Sequence, residues 1–160
     1  MVVCHIKGLR MPTRSEIVAK AREYVGTPFQ HQGRLKGRAL DCVGLVLCVA
    51  EELGILGVDG RPIRACDYAV YGPQPVGTFV YDECRKRLVL KPLFDYRPGD
   101  VISLRVPIEP VHVAIVTEYN GILYMVHAYS GGPEKCVETI LDAAWQRRIV
   151  GVFEFLGVKD

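Results

Sequence analysis

The chain has 160 residues, 49% of them hydrophobic and 24% charged, and a formal net charge of +2. That length holds one domain, residues 1–160, with one buried core. Acidic and basic residues interleave, which excludes the basic surface of a nucleic-acid binder.

Residues 1–10, MVVCHIKGLR, lack the apolar run of a secretory leader. No stretch approaches the roughly 20 apolar residues of a membrane span. The expectation is a protein made and kept in the cytoplasm, with no membrane partner, unless another machine carries it out.

In chain order, residues 1–11 read as a lead-in. Thr13-Arg14-Ser15-Glu16 has capping-box spacing, and Ile17, Val18, Ala21, Tyr24 and Val25 follow a helical period. Gly26 and Pro28 end the segment, so the spacing predicts a helix over 13–25. Residues 26–40 are a loop, with Gly33 and Gly37 serving backbone turns and His31, Arg34, Lys36 and Arg38 on a solvated surface. Asp41 is a favoured N-cap, and the apolar run from Leu45 to Leu53 predicts a buried helix over 42–53. Residues 54–76 form a long surface connection. Thr78 caps a third helix through about Leu88.

Beyond that point the period changes to that of strands. Leu88–Leu90, Val101–Leu104, Val111–Glu118, Ile122–Ala128, Cys136–Thr139 and Ile149–Leu156 are the candidates, with a helical turn over Leu141–Gln146. Asn120-Gly121 is a hairpin signal. Tyr68, Tyr71, Tyr81 and Trp145 read as packing residues. Helices come first and antiparallel strands second, so the fold class is α+β.

The six cysteines, at 4, 42, 48, 66, 84 and 136, are irregularly spaced and include no C-x-x-C pair. They read as thiols, with neither disulfides nor a structural zinc site expected. Cys48, Cys84 and Cys136 serve as small core residues. No metal and no cofactor is implied.

Cys42 is different, because it opens a helix. The dipole and the free N–H groups there favour thiolate. His112 and His127 lie on neighbouring strands of one predicted hairpin. A two-residue turn at Asn120-Gly121 pairs Tyr119 with Ile122 and sets His112 opposite Tyr129. His127 is then diagonal to His112 on the same face. One cysteine and two histidines can supply a nucleophile, a base and an orienter.

Gly26-Thr27-Pro28-Phe29, Asp41-Cys42-Val43-Gly44-Leu45-Val46, Arg97-Pro98-Gly99-Asp100-Val101, His112-Val113-Ala114-Ile115-Val116 and Val126-His127-Ala128 together resemble the NlpC-type cell-wall cysteine peptidases. The resemblance runs from about residue 13 to the C-terminus. Residues 26–34 look most like the branch found in phage tails and gene-transfer-agent particles. The resemblance implies a papain-like fold with N-terminal helices on a mostly antiparallel sheet. It also implies cleavage of peptidoglycan stem peptides between D-γ-glutamate and the diamino acid. By that analogy Cys42 is the nucleophile, His112 the base and acid, and His127 its orienter. Asp41 would hold the free amino group of the stem peptide, and phage or phage-like tail proteins are the expected partners. Two positions depart from the family pattern. Phe29 stands where a tyrosine is common, which moves its hydroxyl's task to His31 or Gln32. Val43 stands where serine often follows the nucleophile.

Two other readings fit the same residues. One is a catalytically silent tail-assembly or wall-binding module. The other is a thiol amidase or acyltransferase of the same fold.

Overall fold

The computed structural model describes residues 11–66, 72, 77–107 and 111–160. The lead-in before Met11, Cys4, Tyr68 and Tyr71 lie outside the described residues.

Helix α1 spans Arg14–Arg22. Both halves of its capping box form: the Thr13 hydroxyl accepts from the Glu16 N–H, and the Glu16 carboxylate accepts from the Thr13 N–H at 2.9 Å. The helix ends earlier than the apolar period suggests. Tyr24 and Val25 donate to Ala21 and Arg22, three residues back, so the last turn tightens while still pointing Tyr24 into the core.

A two-stranded hairpin follows, β1 (Arg34–Leu35) and β2 (Ala39–Leu40), inside the predicted loop. Helix α2 covers Cys42–Glu52, and its residues 44–50 are all buried. A helix apolar around its whole girth has to be covered on every side. A short 3-10 turn, Ile63–Cys66, and α3, Phe79–Arg87, complete the helical part. Thr78 precedes α3, but its hydroxyl donates to Asp82 rather than accepting from the helix backbone.

The remaining elements are β3 (Val89–Lys91), β4 (Val101–Leu104), β5 (His112–Tyr119), β6 (Ile122–Tyr129), β7 (Lys135–Ile140), α4 (Ala143–Gln146) and β8 (Ile149–Glu154). The strands form one antiparallel sheet in the order β3-β8-β4-β5-β6-β7. Asn120 and Gly121 both take positive φ, 51° and 78°, as a two-residue turn of the type I′ kind requires. Tyr119 pairs with Ile122, the register the sequence predicts.

Side chains alternate between the two faces of the sheet. One face carries Val101, Val113, Ile115, Val126, Ala128 and Phe153 and packs under α1 and α2. The other carries Ile102, Leu104, Ala114, Val116, Met125 and Val152, covered by Leu141 and the half-buried Trp145 and Tyr96. Trp145 is therefore a lid on the second core, not an interior residue. Tyr81 packs edge-on against Phe153, as a packing residue should. Asp100, fully buried, accepts from Arg14, from Lys91 at 2.6 Å and from the Arg97 N–H, which ties α1 to the turn before β4.

Candidate active site

Cys42 is the first residue of α2 because Asp41 caps the helix, its carboxylate accepting from the Gly44 N–H at 2.7 Å. The thiol is half-buried. It lies against the start of β5, where the pairing with β6 has opened: the β5–β6 ladder begins at Ile115 and Val126. The sulfur stands 4.0 Å from the Val111 carbonyl oxygen, and the Val113 N–H also reaches it. The backbone groups on both sides of His112 thus hold the sulfur.

The preference for thiolate expected from the helix dipole is not met. Burial pushes the Cys42 thiol up to about 12, and the negative charge of Asp41 adds to it. The N–H groups of Val113 and Val43 and the charge of Arg34 act the other way and are outweighed. Removing a thiolate from water costs more here than a few oriented N–H groups return.

His112 and His127 share the sheet face of Ala114 and Met125. The Nε2 atom of His112 lies 2.8 Å from Nδ1 of His127. Nε2 of His127 in turn lies 3.0 Å from the Thr139 hydroxyl oxygen. Sequence reasoning reached the histidine pair from the hairpin register but missed Thr139. The signal for it was the same alternation applied one strand further: β7 pairs with β6 so that Thr139 stands opposite Met125, diagonal to His127.

A hydroxyl both donates and accepts, so the chain of bonds can run in either direction, and one of the two leaves His112 with a basic Nδ1. With Thr139 accepting from Nε2–H of His127, Nδ1 of His127 is a bare acceptor. His112 then donates from Nε2, and its own Nδ1 is left as the basic nitrogen. Both imidazoles are neutral. Burial lowers the His112 pKa to about 3, with a further contribution from the His127 charge, and burial alone lowers His127 to about 4.

Aromatic rings box the pair in. Tyr129 stacks on His127 with centroids 5.5 Å apart and tilts against His112 at the same distance. Trp145 meets His127 edge-on at 5.5 Å. Among the described residues, neither imidazole is hydrogen-bonded to the Cys42 sulfur. The histidines share the face of the second core, and what links the sulfur to His112 is the main chain of Val111 and Val113.

Of the other predicted site residues, Gln32 reaches the site through its main chain, its N–H donating to Asp41 Oδ2 at 2.8 Å with φ at 59°. Phe29 packs against the first core and donates its N–H to Glu134. His31 is half-buried in the same loop. Arg34, expected on a solvated surface, is only 11% exposed and donates to Asp41 Oδ1 at 2.8 Å. Lys36 stays in the turn between β1 and β2, partly exposed, and pairs with Glu23 and Glu52. Arg38 stays exposed.

No protein-family model matches the chain, and no curated protein sequence matches it. Solved structures do. The NlpC/p60 domain of the peptidoglycan hydrolase SagA superposes with a TM-score of 0.58 at 21% identity, over 89% of this chain and 98% of that one. An NlpC/p60 family protein from Bacillus cereus gives 0.63 at 17% identity, over 92% of this chain but only 42% of its own. An N-acetylmuramoyl-L-alanine amidase from Bacteroides uniformis gives 0.54 at 12% identity, over 89% and 98%. The likeness is one of fold: the chain has the papain-like α+β architecture of NlpC/p60 domains.

Proposed function

We propose that this chain is a cysteine hydrolase of peptidoglycan that cuts stem peptides between D-γ-glutamate and the diamino acid. One observation carries the reading: an imidazole pair bonded at 2.8 Å starts at His112, and the main chain on either side of His112 meets a helix-start thiol. The fold it shares with the SagA peptidoglycan hydrolase domain supports the choice of substrate.

In this mechanism Cys42 Sγ attacks the γ-glutamyl carbonyl carbon while its proton passes to His112 Nδ1. The oxyanion is met by backbone N–H groups at the start of α2. His112 then gives that proton to the leaving amine of the diamino acid. Water, deprotonated by His112, hydrolyses the thioester and releases the thiol. His127 accepts from His112 Nε2–H throughout, and so steadies the imidazolium as it forms. Because thiol and imidazole both rest neutral, the site starts without an ion pair and relies on base catalysis once substrate is bound. Delivery by a phage or phage-like tail rests on the resemblance of residues 26–34 to that branch.

The test is mass spectrometry of muropeptides digested by wild type and by Cys42→Ala. A new free amino group on the diamino acid, made by wild type alone, is the expected product. Equal products from both proteins, or none from either, would refute the reading. A fold neighbour named as an N-acetylmuramoyl-L-alanine amidase makes the muramoyl–alanine amide the second candidate bond. The same digest would show it as a free amino group on alanine. A silent wall-binding module is favoured by the lack, among the described residues, of a hydrogen bond between either imidazole and the Cys42 sulfur, and it predicts sacculus binding that Cys42→Ala leaves unchanged.

A further inference from the structure

We infer that the open cleft between the end of α1 and the β5–β6 hairpin is a sugar-binding site, whose ligand is a neutral pyranose carrying an acylated amino group. The cleft shares no residue with the thiol and the histidine pair. The inference rests on the wall-hydrolase reading above for the source of the sugar, and adds a hold on the glycan strand to the chemistry on the stem peptide.

The first face of the sheet outruns its helical cover. Arg22, the last residue of α1, donates to the Glu118 carbonyl at 2.8 Å, and the hairpin runs on beyond that point. Tyr119 pairs with Ile122, and Tyr124 with Ile140, so these four side chains project from the same face as Ile115 and Val126. Tyr119, Ile122 and Ile140 are 65%, 49% and 46% exposed. Arg22, Tyr119, Tyr124 and Glu138 line a cleft of about 320 Å³ on this face. That volume stands at the lower end of the range for ligand sites and suits a single ring.

The polar groups of the cleft are fixed but not used up. Glu138 Oε1 accepts from Arg22 Nε at 3.0 Å and from the buried Thr117 hydroxyl at 2.6 Å. Among the described residues, Glu138 Oε2, Arg22 Nη1 and both tyrosine hydroxyls have no partner. A positioned acceptor therefore stands beside a positioned donor, and their charges cancel. An ionic ligand gains little from such a pair. A neutral ligand whose hydroxyls or amide both donate and accept can bond to each member. The tyrosine rings and the flanking isoleucines supply apolar surface for the C–H face of a sugar ring and for the methyl of an acetamido group. His112 opens β5 and Tyr119 closes it, about 20 Å along the strand. The grip on the sugar is thus remote from the reacting thiol and can be measured without turnover.

The test is NMR titration of the isotope-labelled protein with the tetramer of N-acetylglucosamine. Saturable shifts are expected at Arg22, Tyr119, Tyr124 and Glu138, with a Kd on the order of 1 mM. Tyr119→Ala, at an exposed position, should weaken binding by about fivefold or more. Phe94→Ala, which removes an exposed ring from the β3–β4 connection, should leave it unchanged. No shifts at the cleft, or the same Kd in Tyr119→Ala, overturns the inference. Equal binding of maltotetraose, which lacks acetamido groups, overturns the assignment of an acylated amino sugar. Glycan strands freed of stem peptides should bind at the same residues, and the Ala-γ-D-Glu-diaminopimelate tripeptide, tested on Cys42→Ala, should not; the reverse overturns the inference in favour of a peptide site. Sugar binding without muropeptide cleavage by wild type refutes the hydrolase reading and upholds the cleft, whereas cleavage without sugar binding refutes the cleft alone.

Discussion

Lowering the pH from 8 to 5 should destabilise this protein through the two imidazoles of its site. His112 and His127 are 6% and 1% exposed, and burial holds their pKa values at about 3 and about 4. In the unfolded chain each returns to 6.5. Between those values the unfolded state binds protons that the folded state refuses, so stability is full above the unfolded value and falls as the pH drops through 6.5 toward 3. At pH 5 the unfolded imidazoles are about 1.5 pH units below their pKa, which costs about 2 kcal/mol each, or about 4 kcal/mol for the pair. The folded pair is almost wholly neutral at that pH, so the figure depends mainly on the unfolded pKa. Against a net stability of about 5–15 kcal/mol for a domain, the loss is large. Urea denaturation should show a midpoint lower by on the order of 2 M at pH 5 than at pH 8. The double variant His112→Gln, His127→Gln should lose most of that dependence, and the NMR signals assigned to His112 and His127 in the wild type should not titrate between pH 8 and 5. A midpoint that does not move, or one that moves equally in the double variant, would refute the assignment of two buried neutral histidines.

Thr139→Val keeps the shape of the side chain but strips Nε2 of His127 of its hydrogen-bond partner, and kcat on the stem peptide should fall by about tenfold. KM should stay put, and Thr139→Ser should restore the rate; a matching loss in the Ser variant would show that the hydroxyl is not what positions His127. Gly44→Ala forces a Cβ to 2.2 Å from the Gly33 oxygen. Overpacking of that kind costs about 1–3 kcal/mol. Calorimetry should record a Tm lower by about 2–12 °C, and an unchanged Tm would mean that the loop yields freely.

Local physics wrote much of this protein into its sequence. The capping box at Thr13 and Glu16, the N-cap at Asp41, and the two positive-φ residues at Asn120-Gly121 act over a few residues, so each could be read without a fold. The turn alone carried the hairpin register, and with it the meeting of His112 and His127. Three features needed the whole chain in place. The half-buried setting of Cys42 against β5 reversed the thiolate preference that its helix position suggests, because desolvation depends on what packs around the sulfur. Thr139 and Trp145 reach His127 from β7 and α4, more than ten residues away along the chain. Arg34 looked like a loop cation until the close approach of Gly33 to Gly44 brought it onto Asp41. Short-range rules decide where helices start and strands turn. Only the packed tertiary structure decides which charges lose their water, and that loss sets the chemistry of the site.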